Sequence, residues 1–274
     1  MRGSLTSLPI FADMNIPSYN RKAWNKQSRQ GSRWSVPVST KEIQCALEGN
    51  WSVILTPNKS VPSEWFGDLT DKKILCLASG GGQQAPILAA AGARVTSFDN
   101  SDEQLAKDKL VADRDGLDLK TVQGDMADLS AFEDASFDLI FHPVSNVFAE
   151  RLQPVWEECF RVLRSEGRLL SGVMNPMFFL FDHEEAERTG ELKVQYPLPF
   201  SDLKSLPEEK LKAIQEKGWA YEFGHTLEDQ IGGQLKAGFV ITDLYEDNWD
   251  DEATPLNKYC SMYISTLARK IPTL

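Results

Sequence analysis

No two cysteines of this chain form a C-x-x-C pair; Cys45, Cys76, Cys159 and Cys260 are scattered singly. Such spacing argues against a zinc site or a disulfide framework and points to reduced thiols in a cytosolic protein. Basic residues are also in deficit: 29 Lys and Arg against 40 Asp and Glu leave a net charge of −11. A nucleic-acid backbone needs clustered cations, so it is argued against as the main partner. No apolar run approaches a membrane span, and the N-terminus has no apolar core of signal-peptide length. No internal repeat or low-complexity tract is evident. The remaining profile is that of a soluble, acidic, cytoplasmic protein. Its 274 residues, 42% of them hydrophobic, suffice for one large α/β domain with an insertion or for two small domains.

What the sequence does have is the stretch Lys72–Gln84, KKILCLASGGGQQ. Ile74 to Leu77 reads as a strand covered on both faces, because its residues are apolar without alternation. The chain then breaks at Ala78-Ser79 into the glycines Gly80, Gly81 and Gly82, and a helix opens near Gln83 and Gln84 to stop at Gly92. Glycines there let the backbone pass close to a ligand, and a helix start offers free N–H groups and partial positive charge. A second strand, Arg94–Phe98, ends at Asp99, where a carboxylate can take both hydroxyls of a ribose. Strand, glycine turn, helix, strand and acid together describe a nucleoside pocket.

The pattern continues beyond Asp99. Ser101-Asp102-Glu103-Gln104 has the form of a capping box, with Ser101 as N-cap of a helix running to Gly116. Strands follow at Leu119–Gln123, ending in Gly124-Asp125-Met126, and at Phe137–Phe141, ending in His142-Pro143. A helix from Pro154 to Arg164 closes at Gly167, and Arg168–Val173 is a fifth strand. Five strands separated by helices predict a parallel sheet with right-handed crossovers and a ligand at the strands' carboxyl ends. Thr226–Ala237 is predicted as a helix with Gly238 after it, and Phe239–Tyr245 and Tyr259–Ala268 as the last strands. Three parts are expected: an N-terminal arm or lid over 1–70, a core over 71–174 and 222–274, and a cap insertion over 175–221. The arm is irregular, with Tyr19–Trp34 helical in part; the insertion is expected over the strand ends, where substrate is chosen.

Gly80-Gly82-Ala85 satisfies the dinucleotide pattern G-x-G-x-x-[GA], but counted from the strand the required glycines fall at 78, 80 and 83, where Ala78 and Gln83 stand. A nicotinamide oxidoreductase therefore ranks second. Ile74–Gly82, Phe98–Ser101, Gly124–Met126, Phe137–Ile140 and Phe160–Arg164 with Gly167 occur in the order and spacing of another family. With the Leu227–Phe239 helix-to-strand join, the chain over roughly 70–268 resembles the class I S-adenosylmethionine-dependent methyltransferases. It most resembles bacterial members of unassigned substrate that carry LASGGGQQ and FHPVSN segments.

The resemblance implies a Rossmann-like α/β fold: a seven-stranded, mostly parallel sheet whose last strand is antiparallel, with S-adenosylmethionine across its strand ends. Carried over by position, Ala78, Ser79, Gly80 and Gly82 line the methionine and ribose end. Asp99 holds the ribose hydroxyls, Asn100 and Leu105 flank the adenine, and Asp125 with Met126 reads its amino edge. His142 and Pro143 lie beneath the sulfonium. The chain departs from the family at Cys76, which replaces the first-strand acid, and at Ala78, which replaces the first loop glycine.

The implied reaction is methyl transfer to a small-molecule acceptor by in-line displacement; a binding module without catalysis is the alternative from another class. Orientation supplies about 7–11 kcal/mol in the best intramolecular cases. A general base adds about 10²–10⁴-fold, where the acceptor must lose a proton. Candidates for contact with the reacting groups are His142 and Asn146, each weighed against a role in backbone bonding or a turn. His225 beside a helix start, and His183 among acids, are weaker candidates. Tyr19 and Trp24 are set either to close over the donor or to pack. Cys76 reads as a small buried apolar residue.

Overall fold

A computed structural model describes residues 14–250 and 254–272. The chain's first 13 residues, on which the expectation about a leader falls, lie outside that range. Among the described residues no helix is long and apolar enough to cross a membrane.

The N-terminal segment is more regular than its sequence suggests. Helix α1 (Ile16–Arg29) starts at Asn15, whose side chain accepts the Ser18 N–H, with Pro17 in its first turn. Helix α2 (Thr40–Leu47) opens with a complete capping box between Ser39 and Glu42. Between α2 and the sheet, Val53, Leu55, Val61, Trp65, Phe66 and Leu69 are buried.

The core then alternates as β1 (Lys73–Leu77), α3 (Gln84–Ala90), β2 (Arg94–Asp99), α4 (Asp102–Asp115) and β3 (Leu119–Gln123), followed by β4 (Phe137–His142), α5 (Gln153–Val162) and β5 (Leu163–Met174). Beyond β5 come α6 (His183–Thr189), β6 (Phe200–Ser201), α7 (Asp202–Ser205), α8 (Glu208–Lys217), β7 (Phe223–Gly224), α9 (Gly233–Ala237), β8 (Phe239–Asp247) and β9 (Tyr263–Lys270). Seven strands form one sheet in the order β3-β2-β1-β4-β5-β9-β8, and β6 pairs with β7 apart from it. Strands β1 to β5 are parallel neighbours, whereas β9 runs antiparallel to both β5 and β8.

The continuous apolar run of β1 follows from burial on both faces. Ile74 and Cys76 face a cluster built by α2, α3 and the segment Val53–Leu69. Leu75 and Leu77 face one built around Val155, Trp156, Cys159 and Val162 of α5. The segment before the sheet is thus half of the core and not only an arm.

Three boundaries differ from expectation. Helix α5 stops at Val162, and Leu163 already pairs with Phe137. The residues up to Gly167 form a bulge, with Glu166 at φ 64°, before pairing resumes at Leu139–Arg168. The helix after Thr226 contains a π turn over Glu228–Gly232 before α9, where Gly233 passes too close to the Trp156 ring to carry a Cβ. Strand β9 begins at Tyr263 because Thr254 caps a 3₁₀ turn over Pro255–Lys258, leaving Tyr259 76% exposed.

Gly172 of β5 fixes the N-terminal segment on the sheet: a Cβ there would overlap the Leu55 carbonyl, which accepts the Val144 N–H at 3.0 Å. Gly172→Ala is expected to lower the urea unfolding free energy by about 1–3 kcal/mol. Unchanged stability would contradict this close approach.

Candidate active site

A cavity of about 640 Å³ lies along the edge of the sheet where the parallel strands end. Its floor follows strand order. Gly124–Ala127 after β3, Asp99 and Asn100 at β2, and Ala78–Gly80 after β1 form one half. Pro143–Ser145 after β4, Met174 at the end of β5 and Tyr263 at the start of β9 form the other. Antiparallel β9 enters on the edge at which β5 leaves, so both contribute to one rim. The N-terminal segment roofs the cavity with Ile16, Asn20, Trp24, Trp34 and Ile54–Pro57.

The turn after β1 is held by two carboxylates. Gly80 N–H donates to Asp99 Oδ2 (3.0 Å) and Ser101 N–H to Asp99 Oδ1 (2.8 Å). Gly82 N–H donates to Asp108 Oδ1 (2.7 Å), and Ser97 Oγ to Asp108 Oδ2 (2.6 Å). A carboxylate offers about four lone-pair sites, so Asp99 keeps about two free toward the cavity. Burial raises the Asp99 carboxyl above its ordinary range against the pull of its backbone donors. Asp108, wholly buried, is pushed up to about 7 by desolvation.

The structure separates the residues predicted from sequence. Ala78, Ser79, Gly80, Asp99, Asn100, Asp125, Met126 and Pro143 line the cavity, while Gly82, Leu105, His142 and Asn146 do not. Gly82 turns to the N-terminal segment: its carbonyl accepts the Val38 N–H (2.8 Å), and a Cβ on it would press on Pro37 at 2.9 Å. Gly81 likewise meets the Trp34 carbonyl. This packing also removes the dinucleotide pattern, because its second glycine faces protein. Ala78, at the first loop glycine of the resembled family, adopts φ 47°, the left-handed conformation that favours glycine. Leu105 lies behind the wall, and its neighbour Gln104 faces the cavity instead.

The predicted capping box at Ser101 is only half formed. Ser101 Oγ accepts the Gln104 N–H (3.1 Å) and donates to Asn25 Oδ1 (2.6 Å). Its own N–H is already bound to Asp99, so the Gln104 side chain is released, with Oε1 buried and unpartnered. Asp125 makes a turn, accepting the Ala127 N–H at 3.0 Å.

His142 and Asn146 are corrected from candidate catalytic residues to a buried brace. Both are at most 1% exposed. His142 Nδ1–H donates to the Leu77 carbonyl (3.0 Å), and Nε2 lies 2.7 Å from the Asn146 terminal amide. Burial holds the imidazole below its ordinary pKa, hence neutral. The amide's oxygen stands toward the ring and its nitrogen is buried without a partner; a neutral ring donating from Nδ1 accepts at Nε2, so turning the amide over, with Nδ2 toward the ring, satisfies both groups. The pair ties the end of β4 to the end of β1 and sets the Pro143–Ser145 wall. His225 donates to the Asn146 and Ala149 carbonyls, and His183 stacks on Phe178 and bonds its carbonyl. Neither reaches the cavity. Trp24 lines it, edge-on to Phe148, but Tyr19 stacks on Tyr221 behind it.

Sequence reasoning missed Gln104, Trp34, Trp249 and Glu222, all of which line the cavity. Arg33 lies over the Trp34 and Trp249 rings, 4.8 and 5.1 Å from their centroids. None of residues 175–221 forms wall; the segment stands behind it, with Phe179 and Phe200 backing Val147. Glu222 is pushed up to about 7 by burial, with Asp202 adding to it. Among the described residues no cluster of three metal-ligating side chains occurs.

Asp108 carries a pH signature. Below about pH 4 folded and unfolded chains both hold its proton. Between there and about 7 only the folded chain does, so its contribution to stability falls as pH rises through that window. Asp108→Asn keeps an acceptor for Gly82 and does not titrate. Relative to the parent it should gain up to a few kcal/mol between about pH 5 and about pH 8 in urea unfolding. A difference that stays constant with pH would contradict the buried protonated state.

Comparison with known proteins agrees with this geometry. Residues 75–171 match a family model described as a methyltransferase domain. An uncharacterized methyltransferase of Bacillus subtilis, YbaJ, is 50% identical over 256 residues, covering 93% of this chain and 99% of that one. Two solved structures share the fold, each with a TM-score of 0.57. One is an S-adenosylmethionine-dependent methyltransferase from Mesorhizobium loti, 16% identical over 75% of this chain and 94% of that one. The other is 1,6-didemethyltoxoflavin-N1-methyltransferase from Burkholderia thailandensis, 15% identical over 96% of this chain and 94% of that one. The sheet order with its reversed last strand, the glycine turn facing an acid across β1 and β2, and the full-length relative lead to one assignment: this chain belongs to the class I S-adenosylmethionine-dependent methyltransferases.

Proposed function

We propose that the chain transfers the methyl group of S-adenosylmethionine to a small-molecule acceptor, with donor and acceptor side by side in the one cavity. The observation that carries this reading is the cavity's lining. The turns after β1, β2 and β3 bring polar groups to it, and Phe148, Met174 and Tyr263, with Trp24 and Trp249, add apolar and aromatic wall. Enclosed cavities of a few hundred cubic ångströms, apolar with few polar groups, suit small molecules.

The first half fits the nucleoside. Asp99 has lone pairs to spare for two ribose hydroxyls, and Ser79 Oγ and Gln104 Oε1 are buried atoms without partners. A Cβ on Gly80 would reach to 3.2 Å from Asp99 Oδ2, so glycine keeps that approach open. Ala78, Ser79 and Gly80 serve the methionine and ribose end, Asn100 and Gln104 border the base, and Asp125 with Met126 faces its amino edge. Pro143 lies toward the second half. Asp99, Asp125, Glu150 and Glu222 line the cavity against Arg151 alone among the described residues, and an excess of carboxylates favours a cationic donor.

When bound, the donor supplies an activated methyl group. The protein's task is then to orient the acceptor and exclude water, which the aromatic roof performs. The Burkholderia protein, whose name gives a small nitrogenous heterocycle as acceptor, supports a molecule of that size. The segment 175–221 then acts as a buttress behind the acceptor half.

Calorimetry with S-adenosylhomocysteine tests the donor half. Asp99→Ala should weaken binding by about 10–100-fold, the worth of one or two hydrogen bonds to a charged group, and Asp99→Asn by less. Equal affinity in all three proteins would contradict the assignment.

A further inference from the structure

We propose that Glu222 is the general base of the methyl transfer, and that the acceptor is a planar molecule entering with the N–H or O–H proton that this carboxylate removes. The inference deepens the small-molecule reading above and rests on it.

Geometry sets Glu222 apart from the other acids. Its main chain is fixed at both ends, the N–H donating to Asp202 Oδ2 (2.7 Å) and the carbonyl accepting the Asp202 N–H (3.1 Å). Its neighbours turn away: Tyr221 stacks on Tyr19, and Phe223 joins β7. The side chain lines the cavity, and among the described residues no hydrogen-bond donor reaches its carboxylate. Asp99 and Asp125 differ, since backbone N–H groups occupy them, and Glu150, the other acid of the lining, is exposed to solvent where Glu222 is partly buried. Glu222 is partly exposed and lines the cavity wall, so its unpartnered carboxylate is open to a ligand that supplies the proton.

The groups around it set its basicity. Asp202 of α7 adds like charge, and Tyr263 of β9 faces it, its own hydroxyl held neutral by burial and by Glu222. Asp247 of β8 and Arg33 act on Tyr263 from its other side with opposite signs. Tyr19 of α1 is pushed up to about 12 by burial and by Tyr221, with Asp202 adding a smaller share. At about 7, Glu222 is half ionised near neutrality and takes protons far better than an ordinary carboxylate. Among the described residues no histidine reaches the cavity.

The step balances. The acceptor's proton passes to Glu222, and the freed lone pair on nitrogen or oxygen bonds to the methyl carbon. The carbon–sulfur bond breaks with its electron pair on sulfur. Positive donor and negative carboxylate become thioether and carboxylic acid, and the proton leaves to water once the product departs. The aromatic walls and the scarcity of competing polar groups select a flat acceptor.

The test is methyl transfer from radiolabelled S-adenosylmethionine to two sets of probes. One holds phenols and N–H azaheterocycles; the other holds tertiary amines and thioethers, which have no proton to lose. Product is expected from the first set, with a rate rising through about pH 7. Glu222→Gln should lower that turnover by about 100-fold or more and abolish the rise, while S-adenosylhomocysteine affinity stays within about two-fold and shows the variant folded. Asp202→Asn should move the rise to lower pH. Carbon-13 NMR of labelled glutamate, compared with the Glu222→Gln spectrum, should show one carboxyl titrating near 7. Product from the second set only would overturn the base and leave the small-molecule reading standing, whereas no product from either set would count against both. Turnover by Glu222→Gln within about three-fold of the parent, or a Glu222 titration near 4, would overturn the base alone.

Discussion

The turn after β1 is held from two sides by carboxylates, with Gly80 donating to Asp99 and Gly82 to Asp108. This double clamp decides what each glycine can do. Gly80 stays at the cavity because Asp99 holds it there at the end of β2. Gly82 is drawn toward α4, and with Gly81 it becomes the platform on which Trp34, Pro37 and Val38 rest. The clamp therefore positions the side of the cavity proposed for the donor and fastens its roof. It also answers the departure at Cys76. The first strand has no acid; burial raises its Cys76 thiol, Asp108 from the neighbouring helix adds to that, and the Asp108 carboxyl accepts the Gly82 N–H of the turn.

The second half of the cavity is held less directly. The His142–Asn146 brace sets the wall after β4, and Asn20 of α1 bonds Tyr221 through both its main-chain groups. Asn25 and Arg29 of α1 meanwhile reach Asp102 and Glu103 at the start of α4. One N-terminal helix thus bridges the donor-side helix and the segment that carries Glu222. Roof, clamp and candidate base form a continuous set of contacts, with the reacting space between them.

The fold was legible because most of its strands are apolar runs closed by a glycine, an acid or a proline: Gly80 after β1, Asp99 ending β2, Gly124 after β3 and Pro143 after β4. The cavity lining proposed for the donor was legible for the same reason: Ala78–Gly80 and Asp125 stand just after strands, and Asp99 ends one. What stayed hidden depends on partners distant in sequence. Gln104 looked like the return arm of a capping box, and only the bond from Ser101 N–H to Asp99 shows why it is free. His142 sits at a strand end like the others, but Leu77 and Asn146 occupy it, and nothing local signals that. Glu222 has no motif; its character comes from the cavity and from Asp202. Helix α2 was overlooked although its Ser39–Glu42 box is plain, because prolines and tryptophans around it suggested an irregular arm.

The central claim is that one cavity holds the nucleoside over β1 to β3 and leaves the aromatic half for the acceptor. A crystal structure with S-adenosylhomocysteine tests it most directly. Ribose hydroxyls on Asp99, with the space beside Glu222 open, are the expected result. A nucleoside seated among Trp24, Phe148 and Tyr263, with Asp99 untouched, would contradict it.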